Sequence, residues 1–336
     1  MLSLSESETL FGQMLDGEMD DAAIAKVLID LSARGETANE IVGAVRAMRA
    51  RMIPVIAPVN AIDVCGTGGD GQHSLNVSTA VALVVAACEV PVAKHGNRAA
   101  SSKAGGADTL EALGLDLNRA SETAEQSLAD LGIAFLFAQK HHPALAKIAP
   151  IRKSLGRRTI FNLLGPLCNP AGVTRQLVGV PSFPIMEIYA DTLLELGCER
   201  FIVVNAYDGL DEFTVSDASA AIQHPAITPP EQKAEGWDRN LNYLVVKPAD
   251  AGLNKHSLKA LIGGDAAYNA AALRRLLMGE QETPQDRAYR DAVLLNAAGA
   301  LIVAGEVSNW KAGVEEAAEV IDKGLAKTLL DCWISF

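Results

Sequence analysis

The stretch Asp63–Gly71 reads DVCGTGGDG, and four of the six residues from Gly66 to Gly71 are glycine. Glycine loses more backbone entropy on folding than any other residue. Such density is therefore expected where the chain needs positive φ or where something must approach the main chain closely. A strand, this loop and a helix opening with Asn76-Val77-Ser78-Thr79 make an anion-binding arrangement. Bare N–H groups face the ligand, the helix's positive end points the same way, and Ser78 and Thr79 add hydroxyls. No Lys-Ser/Thr pair closes the loop as in a P-loop, and the Rossmann glycine phase is missing. Taken alone, the stretch is also compatible with a tight turn in which Asn76 is an ordinary N-cap.

A second polar segment follows on the next strand. Lys94, His95, Asn97 and Arg98 offer cations and an amide, and Ser101 and Ser102 add hydroxyls, for a second anionic group. A solvated loop with Arg98 in a surface ion pair is the plainer reading, but two such segments on successive strands make it less attractive. The third element is DGLDE, Asp208–Glu212, where adjacent Asp211 and Glu212 repel one another unless a cation joins them. Beside a polyphosphate this suits Mg²⁺, which takes one or two carboxylates and completes its shell with water and phosphate oxygens. His141-His142-Pro143 has no third ligand at helical spacing and reads as a helix entry. Gly263-Gly264-Asp265 resembles the first glycine motif, yet no cationic segment follows, so Asp265 is expected to be an N-cap.

The elements that must position these residues alternate. AIDVC, VPVAKH, AFLFA, QLVGV and FIVVNA read as strands separated by helical sequence, including about 76–87 and 107–113. This implies an α/β fold with a largely parallel sheet flanked by helices, whose ligands lie at the carboxyl ends of the strands. Before it, residues 1–55 form a small all-helical domain, with a stop at Gly35, a capping box at Thr37/Glu40 and breaks at Pro54 and Pro58. The second domain is expected over 60–336. Residues 208–250 look irregular, with Pro229–Pro230 marking a loop, and the chain is mainly helical from Asp265 onward.

The 336 residues carry a formal net charge of −12 and no segregated basic block, which argues against nucleic acid as a partner. The apolar run Ala80–Cys88 falls short of the ~20 residues a membrane span needs and reads as a core helix. Five scattered cysteines without metal-type spacing point to a reduced, cytoplasmic protein, and the N-terminus lacks the features of a signal peptide.

GTGGDG, NVST, KHGNRAASS, HHPALAKIAPIRKSLGRRTIFNLLGPLCNP and DGLDE occur in the order found in the anthranilate phosphoribosyltransferase family, which the chain resembles over essentially its whole length. The resemblance extends to GGDAAYNAAALRRLL and DAVLLNAAGALIVAG near the end. It implies a nucleoside phosphorylase/phosphoribosyltransferase-like fold, with helices from later in the chain joining the small domain, and a homodimer. It also implies Mg²⁺-assisted transfer of a phosphoribosyl group from 5-phosphoribosyl 1-diphosphate to anthranilate, with two ions. By motif, the donor would be met by Gly66, Gly69, Asp70, Ser74, Asn76, Val77, Ser78 and Thr79. The next segment would add Lys94, His95, Gly96, Asn97, Arg98, Ala99, Ala100, Ser101 and Ser102, together with Gly106. Gly66, Asn97 and Arg152 would meet anthranilate, and Ser78, Asp211 and Glu212 would hold the metal. Ala104 and Gly106 depart from a loop that often reads S-G-S-A-D, Ser74-Leu75 from a frequent Thr-Phe, and Asn205 from a frequent His. Rival readings are a nucleoside phosphorylase of the same fold and a non-catalytic nucleic-acid-binding relative. The acid pair argues against the first, and the intact loop and negative charge against the second.

Overall fold

The computed structural model describes residues 1–99, 103–225 and 241–336. Ala100, Ser101, Ser102 and the expected Pro229–Pro230 loop lie outside the described residues. Among the described residues seven strands form one sheet: β1 (Ile62–Gly66), β2 (Val92–Gly96), β3 (Ile133–Phe137), β4 (Arg175–Gly179), β5 (Arg200–Ala206), β6 (Ser219–His224) and β7 (Asn242–Val246). Their spatial order is β3-β2-β1-β4-β5-β6-β7. The first five pair in parallel, and β6 and β7 add an antiparallel edge. After β1 the chain builds outward to β3, then returns to the other side of β1 with β4. The crevice at such a reversal, outside the carboxyl ends of the strands, is where open α/β sheets bind ligands.

Strand residues alternate between two apolar layers. Ile62, Val64, Leu177, Ile202 and Val204 face one core, and Cys65, Val178, Phe201 and Val203 face the other. A sheet covered on both faces by helices calls for this pattern. The first layer packs on α4 (Val77–Ala87), on α5 (Gly106–Leu113) and on the helices Ala266–Leu277, Pro284–Ala304, Trp310–Asp322 and Leu325–Ser335. Across the sheet lie α1 (Leu4–Asp16), α2 (Asp21–Arg34) and α3 (Ala38–Arg49), with the later helices Ala149–Leu155, Phe161–Leu167 and Phe183–Glu195. Arg49 Nε donates to Leu167 O at 2.9 Å, tying the N-terminal helices to that later group.

The irregular stretch expected over 208–250 instead contains β6 and β7. Polar Ser219 and Gln223 are buried on β6, and β7 is a short edge strand with Tyr243 and Val245 exposed, so neither shows clean apolar alternation. The helix stops are as expected: α2 ends at Gly35, and Thr37 and Glu40 form the box that opens α3. Asp265 caps its helix by accepting from Tyr268 N.

Glu40 does more than cap. Its fully buried carboxylate also accepts Leu2 N at 2.8 Å and pairs with Arg34. Burial by itself would raise this carboxyl. The Arg34 pair and the N–H groups of Leu2 and Thr37 outweigh it and hold the pKa near 2, against an ordinary 4.5. A depressed folded-state pKa contributes stability that is full above the unfolded value and is lost as pH falls through the folded one. Glu40→Gln is therefore expected to cost about 1–3 kcal/mol at neutral pH. In urea unfolding, the gap from the unsubstituted protein should narrow below pH 4.5 and close near pH 2.

Candidate active site

The glycines of the first loop have two separate causes. Gly68, Gly69 and Gly71 have φ of 70°, 84° and 71°, and a Cβ on any of them would meet nothing within 4 Å. They supply dihedral freedom. Gly66 is different: a Cβ there would lie 2.3 Å from Asp211 Oδ2. Its partner across the β1–β4 ladder is Gly179, where a Cβ would fall 1.4 Å from Asp211 O. Two facing glycines at the ends of the central strands thus make a notch, and the Asp208–Glu212 turn crosses it. Thr67 N donates to Gly179 O at 2.9 Å and Gly68 N to Asp211 Oδ2 at 2.8 Å, so the acid turn shapes the loop directly.

The acid pair sits over the amino end of α4. Ser78 N donates to Glu212 Oε1 at 3.1 Å, where the helix dipole favours negative charge. Glu212 Oε2 is sealed from solvent and has no hydrogen-bond partner among the described residues. Burial pushes the Asp211 carboxyl up, and the neighbouring Asp70 charge pushes it further. Burial and the charges of Asp211 and Asp70 do the same to Glu212. Lys94 lies beneath, its ammonium donating to Val64 O at 2.6 Å and Ser78 Oγ at 3.1 Å. Burial lowers its pKa, with Asp63 the leading opposing charge. Asp70, Asp211 and Glu212 thus crowd one another, with Lys94 acting on Glu212, an excess of negative charge that a divalent cation would relieve. Among the described residues no three His, Cys, Asp or Glu side chains form a closed metal cage. An open pair with one orphaned oxygen fits Mg²⁺, whose remaining ligands are water and phosphate.

Several side chains expected at the ligand are latches. Asn76 Oδ1 accepts from Thr109 Oγ1 at 2.5 Å and Asn269 Nδ2 at 2.8 Å, while its Nδ2 donates to Ala104 O at 3.2 Å. It stands at the N-cap position but makes no side-chain cap. The Arg98 guanidinium is held by Asp108 and Glu111 and lies 5.6 Å from the Phe137 ring centre. Asp108 Oδ2 also accepts Ala99 N and Gly105 N, both at 2.9 Å, so one carboxylate grips the second segment from both ends. The His95 ring is turned into the core: Nδ1 is 2.8 Å from Gly165 O, and Nε2 is 3.3 Å from His142 Nε2. Burial first, then the His142 charge, lowers its pKa to about 3. His141 and His142 lead into a short turn of 3₁₀-helix at Pro143, as the sequence indicated.

Gly69 and Asn97 are exposed, and Asp70, Ser78 and Ala99 are half-buried. Ser74 makes an isolated bridge to Ile262, and Val77 and Thr79 are buried at the start of α4. Gly96 ends β2, and Gly106 opens α5 against Thr79, where a Cβ would lie 3.1 Å from Oγ1. Asn205 is buried on β5 and donates to Val180 O at 2.8 Å, a structural bond. Arg152 lies on the helix Ala149–Leu155. It forms no ion pair among the described residues, and burial pushes its pKa down. Its guanidinium is 5.4 Å from the Phe161 ring centre and makes one long contact, 3.5 Å, to Asn162 Oδ1.

Residues 1–52 match the model described as glycosyl transferase family, helical bundle domain, and residues 58–327 match glycosyl transferase family, a/b domain. The anthranilate phosphoribosyltransferase of Novosphingobium aromaticivorans is 60% identical over 334 residues, covering 99% of this chain and 96% of that protein. The chain belongs to the anthranilate phosphoribosyltransferase family. The Sphingopyxis alaskensis member is 56% identical over 336 residues, covering 100% of this chain and 96% of its own length. The crystal structure of the Thermus thermophilus anthranilate phosphoribosyltransferase superposes with a TM-score of 0.89 at 40% identity, covering 100% of this chain and 95% of that one. The Saccharomyces cerevisiae enzyme, solved in complex with PRPP and Mg, gives 0.87 at 26% identity, covering 99% and 93%. That yeast enzyme has also been solved with 4-fluoroanthranilate.

Sequence reading missed Asp108, Asn269 and Gly179 in this phosphoribosyltransferase. Their roles are contacts between segments far apart in the chain, and only the glycine facing Gly66 across the sheet carried any local hint. The two kinds of glycine can be separated by stability measurements. Gly179→Ala is expected to cost at least about 2–3 kcal/mol in urea unfolding, because backbone must move. Gly69→Ala should cost only about 1–2 kcal/mol, the penalty of a left-handed alanine.

Proposed function

We propose that the chain transfers the 5-phosphoribosyl group of 5-phosphoribosyl 1-diphosphate to the amine of anthranilate, releasing pyrophosphate, as a step of tryptophan biosynthesis. One observation carries the residue-level reading: the orphaned Glu212 Oε2, beside Asp211 at the mouth of the glycine loop. A nucleoside phosphorylase has no diphosphate that needs such a pair. Asp211 and Glu212, with Ser78, would hold magnesium, two ions on the family pattern. When bound, the metal neutralises charge on the departing diphosphate, a contribution of several kcal/mol.

The chain's own part is positioning. Main-chain N–H groups of the loop and the amino end of α4 orient the diphosphate, at ~0.3–1 kcal/mol for each helix-dipole contact and up to ~2 when partly buried. Asn76 and Arg98 shape this surface through their latches, and main-chain N–H groups with Ser78 and Thr79 supply polar groups at the donor. The acceptor is a neutral aromatic amine and needs no strong base, consistent with His95 being held uncharged in the core. Holding amine and anomeric carbon together can account for ~7–11 kcal/mol. Arg152 does this for anthranilate: its planar guanidinium, lacking an acid partner and resting on Phe161, suits a benzoate carboxylate. Gly66 and Asn97 complete the acceptor side. The same reading places a homodimer in the cytoplasm, with a helical unit over 1–55 and a donor-binding unit over 60–336.

Loss of anthranilate fluorescence on adding donor and Mg²⁺ tests the reaction; no loss would exclude it. Arg152→Ala is expected to raise the KM for anthranilate at least about tenfold, the equivalent of ~1.4 kcal/mol, with the donor KM little changed. An unaltered anthranilate KM would remove Arg152 from the site. Glu212→Ala should lower kcat by about 100-fold or more and flatten the magnesium dependence. Turnover and a magnesium titration like those of the unsubstituted enzyme would remove Glu212.

A further inference from the structure

The 21-residue helix Pro284–Ala304 runs beneath the acid pair, and both ends are anchored. Thr283 and Asp286 box its start, while Arg175 Nη1 donates to Ala304 O at 2.7 Å and Arg200 Nε to Val303 O at 2.7 Å. Asn296, 3% exposed, lies on its buried surface. Its amide makes a two-way pair with a single residue: Phe213 N donates to Asn296 Oδ1 at 2.9 Å, and Asn296 Nδ2 donates to Phe213 O at 2.8 Å. Nδ2 is also shared with Ala292 O at 2.9 Å.

Phe213 is the residue after Glu212. Its ring packs edge-on against Trp310, with centroids 4.9 Å apart, over Gly299, where a Cβ would come within 3.1 Å of it. Asn296 also borders the small cavity between Ser78, Gly179, Asp211 and Glu212. Packing explains a small residue at Gly299, but it does not explain an amide at Asn296. An apolar side chain of equal size would leave both main-chain groups of Phe213 buried and unpaired.

We propose that Asn296 is a positioning residue for the metal-binding acid pair. Gripping Phe213 from below, it fixes the main chain from which Asp211 and Glu212 reach the donor's diphosphate. The inference rests on the proposed function, since it needs a cation between these acids and the diphosphate. Groups that orient metal ligands from behind typically matter by 10–100-fold in metal affinity.

The test is calorimetric binding of 5-phosphoribosyl 1-diphosphate at a series of Mg²⁺ concentrations, with the anthranilate KM and the melting temperature measured alongside. Asn296→Leu should raise the Mg²⁺ concentration for half-maximal donor binding by about 10–100-fold. The anthranilate KM should stay within about twofold. Arg175→Met removes a bond at the far end of the same helix. It should lower the melting temperature without moving the Mg²⁺ dependence. An unmoved Mg²⁺ dependence in Asn296→Leu, or an equal shift in Arg175→Met, overturns the proposal. Should Asn296→Leu fail to fold, Gly299→Ala decides. It crowds the Phe213 ring and should shift the Mg²⁺ dependence in the same direction by a smaller factor; no shift overturns the proposal. If the unsubstituted protein shows no Mg²⁺-dependent donor binding, the functional reading itself falls. Binding by the unsubstituted protein with unmoved variants sinks this inference alone.

Discussion

Everything at the site depends on the absence of two side chains. Gly66 and Gly179 end adjacent parallel strands and face one another across the ladder, and the Asp211 main chain and carboxylate occupy the space that two Cβ atoms would fill. That contact brings a turn from beyond β5 onto the loop that follows β1, giving Gly68 N its acceptor and placing Asp211 and Glu212 over the first turn of α4. The reversal of strand order at β1 supplies the crevice, and the glycine notch sets what lies in it. Any side chain at either position would separate the acids from the loop they organise.

The consequence is electrostatic. A chain of net charge −12 is poorly suited to collect polyanions over its whole surface, and here the attraction is local. Main-chain N–H groups, a helix amino end and one desolvated lysine are concentrated where the acids wait for a cation. Burial and the Asp70 charge raise the Asp211 pKa, and burial with Asp211 and Asp70 raises that of Glu212. Gly68 N and Ser78 N donate to the pair, and among the described residues Glu212 Oε2 has no partner. On the proposed function, a donor arriving with its metal would supply the positive charge that this buried acid pair lacks.

Much of this was legible in the residues. The helix stop at Gly35, the Thr37/Glu40 box, the Asp265 cap, the five parallel strands and the pairing of GTGGDG with DGLDE rest on local chemistry or on motifs in order. β6 and β7 were hidden because Ser219 and Gln223 are buried polar residues and because edge strand β7 exposes apolar side chains. Asn76 was expected at the donor by motif and Arg98 by motif and residue type, and the fold gives both side chains partners of its own. Whether a polar side chain meets a ligand or a neighbour depends on partners 28, 33 and 193 residues away for Asn76 and 10 or 13 away for Arg98. Such partners leave no periodicity behind. Asp108 is an example: in sequence it is an unremarked acid on α5, and in the fold it closes a loop.

The groups that the proposed function assigns to the two substrates are carried by different packing layers. Donor groups stand on strand ends and on α4, backed by the C-terminal helices through Asn269 and Asn296. Arg152 belongs to the other layer: its platform Phe161 packs edge-on against Phe11 of α1 with centroids 5.9 Å apart. The layers meet through the sheet, where Phe161–Leu167 touches it by two main-chain acceptors, Gly165 O for His95 Nδ1 and Pro166 O for Gln176 Nε2. These buried polar bonds cost stability if either partner is lost, and they fix the helix Phe161–Leu167 against β2 and β4. On the proposed function, His95 and Gln176 would act through this pinning, since their bonds hold the helix Phe161–Leu167 against the sheet. In a reaction driven by placement rather than by acid–base chemistry, as proposed, that pinning is where the fold would exert its control.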